Sequence, residues 1–519
     1  MFKYKRAIIL ILAILPMIAA AQKSQKEEAA LAVRQYSDYL YLHNSAYGSI
    51  NPTFISGMPM KQLADLAVSY GAGKGAFHNL DKSGDIRDLS VDVYGLKKLR
   101  RVSFEGGISY LNRTENNRKW NATLYQADRN PFILADSVAS DYSVEKFKLD
   151  GRFSWEAASF MRFGINAFYE VGASSDQTDP RPDTRGMRFT VNPGLDFTVS
   201  KYIRIGATGG VRLFNETIKY SSVATATNYT FFLMSGMGTF FPQGGAAYTR
   251  DSRGTAWFAN IQLYWDKPGF ANYLQGGLEK NTEKATDGGT TRQFLGGDYR
   301  NTKITVKDRF TVMNEKFSHN VELEASSEKT EGIWYYQKSV TENGQTFWVV
   351  QSSAVKHKES RLEGNVSYRF DMLKEKLSTI TAGAVVGYVN SDTKNFPDNF
   401  SQKYSNLSAK LYFTKHINIR HSLLSLTVGG KYNMNLGSSI NAEGLPLKDK
   451  YTYPIYYYLT SDYYQVYGRA ETQIRIKAKR FTSYIGAYLE ASTEQYAGKA
   501  ELYKETHFNT FKGGINYTF

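Results

Sequence analysis

The feature that constrains this chain most is a two-residue alternation of apolar and polar side chains that recurs along nearly its whole length. In Met187–Val199, Met187, Phe189, Val191, Pro193, Leu195, Phe197 and Val199 alternate with Arg188, Thr190, Asn192, Gly194, Asp196 and Thr198. A period of two places the two sets on opposite faces of an extended strand. Phe147, Leu149, Phe153 and Trp155 alternate in the same way with Lys146, Lys148, Asp150, Arg152 and Ser154, and Val466, Ala470, Ile474 and Ile476 with Gln465, Arg469, Gln473 and Arg475. These runs last roughly 10–13 residues, longer than the usual globular strand and suited to a strand that crosses a bilayer at a tilt. A bundle of membrane helices does not fit a mean hydropathy of −0.43, since such helices need long continuous apolar runs.

The connectors alternate in length. Short ones lie near Glu156–Ser159, Ser200–Tyr202, Asp266–Phe270, Asn314–Lys316, Asp371–Lys376, Lys415–Ile419 and Lys477–Arg480, and long ones cover roughly 113–142, 215–255, 283–298, 330–357 and 435–462. Short turns at one end and long loops at the other is the layout of bacterial outer-membrane barrels. The expected fold is therefore an all-β transmembrane antiparallel barrel of about 18 strands, from near Leu63 to Phe519, with 16 as the alternative if the weak first pair is something else. A soluble sandwich or β-helix would also alternate, with its polar face outside. Against it stand strands charged along their full length, and aromatics near strand ends (Tyr110, Trp155, Tyr169, Trp265, Tyr368, Phe370, Tyr432), where membrane interfaces want them.

The N-terminus reads as an address. Lys3, Lys5 and Arg6 precede the apolar run Ala7–Ile18, and Ala19-Ala20-Ala21 offers the small residues of a cleavage site. The apolar stretch is too short to span the membrane comfortably, so residues 1–21 are expected to be a cleaved signal peptide. Cleavage removes three of the 64 basic residues and none of the 49 acids, taking the net charge from +15 to +12. Residues 22–60 then form a periplasmic or lumenal segment with a helix over about 25–36, and 61–519 the barrel. The segment ahead of the first strand is far shorter than the plug of well over one hundred residues that energised importers resemble one another in carrying, which argues against that class.

At the other end, Lys512, Gly514, Tyr517 and Phe519 match a polar residue, a glycine and aromatics two apart ending in Phe. This resembles the signal by which outer-membrane barrels are recognised for assembly, with Gly514, Tyr517 and Phe519 as its key positions. Tyr41-Leu42-His43-Asn44, Asn51-Pro52 and the Asp371–Lys376 connector give the whole chain a resemblance to an uncharacterised outer-membrane β-barrel family of the Bacteroidota. That resemblance implies location and fold and brings no catalytic motif.

Enzyme chemistry finds no foothold. The seven histidines are scattered, cysteine is absent, and neither a metal cluster nor a nucleophile motif can be assembled from their spacing. Gly71-Ala72-Gly73-Lys74-Gly75 lacks the spacing of a phosphate loop. No catalytic residue, metal or cofactor is expected.

Function is expected on the inward face. Lys146, Arg152, Arg162, Arg188, Arg204, Arg212, Lys303, Arg309, Arg369, Arg469 and Arg475 are candidate lumen charges, and acids such as Glu105, Asp196 and Glu471 are fewer. Cationic rings in a low-dielectric pore favour anions, unless these groups pair across strands and merely fill the interior. Two outer loops offer contact candidates: Trp334, Tyr335 and Trp348 around an Asn343-Gly344 hairpin, and Tyr456, Tyr457 and Tyr458 in a tyrosine-rich span. Tyr229–Phe241 is too apolar to hang in water and is expected to fold into the barrel mouth or cover a partner. The favoured function is a passive outer-membrane channel for small polar or anionic solutes. The alternative is a non-conducting accessory or structural subunit of a larger outer-membrane complex. Expected partners are outer-membrane lipid and lipopolysaccharide, the barrel-assembly machinery and an outer-membrane protein, with no nucleic acid.

Overall fold

The computed structural model describes residues 36–224, 226–288, 293–419, 422–477 and 482–519. The expected signal peptide and most of the helix expected over 25–36 lie outside the described residues. The described chain opens with helix α1 (Tyr36–His43) and a 3-10 turn (Pro52–Gly57). Strands follow in the order β1 (Gln62–Gly75), β2 (Asp85–Lys98), β3 (Val102–Arg118), β4 (Leu134–Ala135), β5 (Ser140–Ala158), β6 (Met161–Ser175) and β7 (Pro182–Ser200). Next come β8 (Ile203–Ser221), β9 (Tyr229–Met234), β10 (Phe240–Gly245), β11 (Ala247–Lys267), β12 (Phe270–Asp287), β13 (Phe294–Met313) and β14 (Phe317–Glu342). The remainder are β15 (Gln345–Lys374), β16 (Leu377–Asn395), β17 (Ser401–Ile419), β18 (Ser422–Asn441), helix α2 (Tyr453–Leu459), β19 (Tyr463–Lys477), β20 (Thr482–Tyr496) and β21 (His507–Thr518).

Eighteen of these form one antiparallel sheet that closes on itself, because β1 pairs with both β2 and β21. Closure leaves no open edge to hydrogen-bond in hydrocarbon, the condition for a membrane strand. The weak first pair of the sequence is a full part of this barrel. At the seam Phe519 and Ala64 exchange both backbone hydrogen bonds, 2.8 and 2.9 Å. The remaining strands, β4, β9 and β10, form a separate three-stranded sheet over the mouth.

The alternation sorts as a membrane barrel requires. Trp257, Ile261, Val428, Leu411 and Ile515 face outward at 60–70% exposure, while their polar neighbours in sequence face in. Such a belt of exposed apolar side chains would be intolerable in water and is what lipid wants. Short turns at Ser159-Phe160, Lys201-Tyr202, Pro268-Gly269 and Glu375-Lys376 gather at one end together with the start of β1 and Phe519, and the long connections gather at the other. The turn expected at Lys415–Ile419 is instead strand to Ile419, while the hairpin expected over 330–357 is present, turning at Asn343-Gly344 and continuous with β14 and β15. The difference at β17 follows from a period-two pattern, Phe413, Ile417 and Ile419, that runs on past the point where polar residues suggested a stop.

Candidate functional site

Residues 36–60 lie inside the barrel, at the short-turn end. Asn51 opens the 3-10 turn: its Oδ1 accepts the Thr53 N–H at 3.1 Å, and Pro52 fills the first position, where a missing N–H costs nothing. Its side-chain amide then reaches the wall, donating to Leu195 O at 3.0 Å, Gln262 Oε1 at 3.1 Å and Ala207 O at 3.4 Å. A Cβ on Gly194 would sit 2.3 Å from Asn51 Oδ1, and one on Gly206 2.8 Å from its Nδ2, so two strand glycines make the room that this side chain occupies.

Other strands grip the same segment. Arg309 donates to the carbonyls of Asn44, Ser45 and Tyr47. Arg369 pairs with Asp38 and Asp371, each at 2.8 Å, and lies 4.8 Å over the Tyr41 ring. Ser56 and Ser154 hydroxyls meet at 2.7 Å, and His43 contacts Lys376 O at 3.0 Å. The apolar side of the segment (Leu40, Phe54, Ile55, Met58, Met60) packs in one cluster with Leu63 and Leu96 of β1–β2 and with Tyr264 and Tyr273 of β11–β12. Those two strand pairs stand on opposite sides of the ring, so the cluster bridges the lumen from wall to wall.

The other end is covered by loops. Trp120, Met234, Leu447, Tyr451 and Ile455, drawn from three separate connections, form one buried cluster. Beside it the β9–β10 hairpin buries Phe231 and Leu233 against Ile218 and Tyr220. Tyr229–Phe241 therefore folds into the mouth, the first of its two expected placements.

From this cap the segment 121–133 descends into the lumen. Glu216 accepts the backbone N–H groups of Leu124 and Tyr125 at 2.7 and 2.5 Å, Glu283 accepts Ala127 N–H and Asn130 Nδ2, and Arg188 donates to Tyr125 O. Lys146 and Arg188 lie 5.0 and 4.9 Å from the Tyr125 ring centre. Arg129 at the tip faces Glu328, Glu359 and Glu363 of β14–β15. Behind the segment, Arg250 and Asp287 form a bidentate pair at 2.7 and 2.8 Å with both side chains fully buried, and Arg250 also donates to Phe132 O.

Between residues 36–60 and the cap, the described side chains leave polar cavities in the lumen, two of which share Asp128 and Arg129 in their walls. One, of ≈ 590 Å³, is lined by strands from β6 round to β15 and by residues 125–129. The other, of ≈ 420 Å³, is lined by β15–β18 and the cap. The larger carries four basic side chains (Arg129, Arg188, Arg212, Lys303) and five acidic ones (Asp128, Glu279, Glu283, Glu328, Glu363). No cationic excess is concentrated there.

All eleven lumen candidates fall on the inward register. Seven of them pair with acids: Lys146 with Glu170, Arg152 with Glu105, Arg162 and Arg204 with Asp196, Arg212 with Glu279, Arg369 with Asp38 and Asp371, and Arg469 with Glu471 and Glu490. Arg188 and Arg309 are spent on loop and plug carbonyls, Lys303 lines the larger cavity, and Arg475 shares the face of Glu471. Of the contact candidates, Trp334 is buried in a 4.2 Å stack on Phe241, Tyr335 donates to Asp298, Tyr456 is buried and Tyr458 packs on Phe77. Trp348 and Tyr457 remain exposed at 39% and 36%. Gly514 packs against Tyr488 and Val68 on the closing strand, followed by Tyr517 and Phe519, their rings 5.5 Å apart. Among the described residues no group of three His, Asp or Glu is arranged to hold a metal ion. The residues that close the lumen, Asn51, Ser56, Arg129, Glu216 and Glu283, were not legible as a site. Their one visible sign is small inward residues opposite the places they fill.

No curated protein matches the sequence. Among solved structures the chain is similar to the RagAB peptide transporter (6% identity, 88% of this chain and 87% of that one, TM-score 0.41). It is also similar to the copper transporter OprC (10%, 88% and 81%, TM-score 0.40) and to a Pseudomonas aeruginosa FadL homologue (12%, 96% and 99%, TM-score 0.32). The family model described as a family of unknown function (DUF6850) matches residues 52–519, from the residue after Asn51 to the closing Phe519. With an outer-membrane-type β-barrel built by that same stretch, the chain belongs to the family DUF6850.

Proposed function

We propose that the protein is an outer-membrane conduit for small polar solutes, held closed at rest by its own N-terminal segment. The observation that carries this reading is the unfilled polar chamber between two stoppers: a barrel serving only as a scaffold gains by filling its interior. An eighteen-stranded barrel is wide enough for an aqueous pathway once unblocked. Residues 36–60 are the movable part, since they cross the lumen without joining its sheet. The mixed lining of the chamber suits uncharged or zwitterionic solutes better than anions, because alternating charges present hydrogen bonds without a net field. The chain reaches this membrane through a signal peptide cut near Ala21, and the Gly514, Tyr517 and Phe519 end directs its assembly.

The test compares the full-length protein with a variant lacking residues 22–60 in planar bilayers. The full-length protein should show rare, brief openings, and the deletion variant more frequent and longer ones, limited by the loop cap that remains, with a reversal potential near zero under a salt gradient. A second reading is supported by the long β14–β15 ribbon, whose tip leaves Phe347, Trp348, Val349 and Val350 between 37% and 44% exposed. It casts the barrel as a sealed accessory subunit. A folded deletion variant that stays silent would favour that reading.

A further inference from the structure

The outer wall carries its own charged site at the loop end. On β11 the outward residues run Trp265, Ile261 and Trp257 and then change to Thr255 and Arg253; on β12 they run Leu274 and Leu278 and then change to Lys280, Thr282 and Lys284. Arg253 stands directly opposite Lys284, and Lys280 and Lys329 flank Thr302 from either side. Like charges facing each other across a strand pair cost stability unless anions answer them, and here Lys284 has only Asp298, at 4.0 Å, while Arg253 has no acid partner among the described residues. Here a groove of ≈ 370 Å³ lies between, lined by Asp251, Arg253, Thr255, Thr282, Lys284 and Thr286.

The acids nearby are occupied. Asp251 accepts the Thr217 hydroxyl at 2.5 Å, and Asp298 is buried, accepts the Tyr335 hydroxyl and lies 4.0 Å from Lys284. Glu331 lies 3.7 Å from Lys358. Among the described residues Arg253, Lys280, Arg300 and Lys329 make no ion pair. Just below, Trp257, Leu278 and Ile304 begin the apolar belt at 65, 45 and 55% exposure. Cations and hydroxyls sit at the rim of the bilayer with acyl-chain surface beneath them.

We infer that this face of β11–β15 binds a multiply phosphorylated glycolipid of the outer leaflet, with a phosphate between Arg253 and Lys284 and acyl chains on Trp257, Leu278 and Ile304. Five strands at about 4.8 Å spacing make a patch roughly 20 Å wide, broader than one phosphate needs and matched to a headgroup with two. The lipid A portion of lipopolysaccharide has that chemistry, and a single-phosphate glycerolipid does not.

The test measures binding of bisphosphorylated lipid A and of its dephosphorylated form to the full-length protein in detergent, folding being checked by heat-modifiable gel migration. The wild type should prefer the phosphorylated lipid at least tenfold, and Arg253→Gln/Lys284→Gln should abolish that preference. Lys415→Gln, outward at the short-turn end, should retain it. Equal binding of the two lipids, a double variant that keeps the preference, or an equal loss in Lys415→Gln would overturn the assignment. Displacement by millimolar inorganic phosphate would overturn the lipid as its source.

Discussion

Replacing Asn51 by Ala tests the plug at its best-defined joint. The side-chain amide shares two hydrogens among Leu195 O, Gln262 Oε1 and Ala207 O, with the first two at 3.0 and 3.1 Å. Each good bond contributes about 1 kcal/mol net, and leaving a buried acceptor such as Gln262 Oε1 unpaired adds about 1 more. The expected loss is about 3 kcal/mol of docking energy, or roughly a 100-fold rise in the undocked population. Hydrogen exchange of residues 44–58 in the full-length protein reads this directly, as a comparable loss of protection at unchanged barrel protection. Gly194→Ala should act through the same contact, because its new Cβ would lie 2.3 Å from Asn51 Oδ1. In the Asn51→Ala background the Asn51 contact is gone and only Pro52 Cδ, at 2.8 Å, still crowds the new Cβ, so the two substitutions should cost less together than the sum of their separate effects. Unchanged protection in a folded Asn51→Ala protein, or simple additivity of the pair, would refute the reasoning.

Three further outcomes are expected. Arg250→Met leaves the fully buried Asp287 carboxylate without its bidentate partner and should destabilise the region around the cap by about 3–5 kcal/mol, seen as selective loss of exchange protection in residues 130–135. Burial pushes the Asp136 carboxyl up from its ordinary 3.8 to about 6, against the opposing hydrogen bonds from Val138 N–H and the Tyr220 hydroxyl. Ionisation is therefore disfavoured in the docked cap: the docked state carries no such cost below pH 4 and the full cost above about pH 6. Cap amides, corrected for intrinsic exchange, should exchange about tenfold more slowly at pH 5 than at pH 7.5. Deleting Phe519 removes both of its backbone bonds to Ala64 and should lower the yield of heat-modifiable, assembled barrel.

The strands were legible because a half-exposed membrane strand must alternate, and nothing in the loops imitates that period over ten residues or more. The inward register of Arg204, Arg212 and Arg469 followed at once from it. Their pairing did not, since whether Arg162 meets Asp196 depends on which residue stands beside which across two strands, and register is set by turns as much as by pattern. The plug was illegible for a different reason. Residues 36–60 hold their place through backbone carbonyls given to Arg309 and a single asparagine fitted against glycines, and neither leaves a periodic trace. A sign was present in the strands: Gly164 and Gly194 face each other in register, with Gly206 on the next strand, three inward gaps in a wall that otherwise carries long side chains. The dipping segment 121–133 was likewise hidden, because Glu216 and Glu283 look like any lumen acid until a backbone is brought to them.

The most direct test of a barrel closed by its own N-terminal segment uses the absence of cysteine in the chain. The Ser56 and Ser154 hydroxyls lie 2.7 Å apart, close enough for the pair Ser56→Cys/Ser154→Cys to form a single disulfide. Single-channel current should vanish when the pair is oxidised and return to the wild-type pattern of rare openings on reduction. Failure of the disulfide to form in the folded protein, or current that is the same in both redox states, would contradict the account.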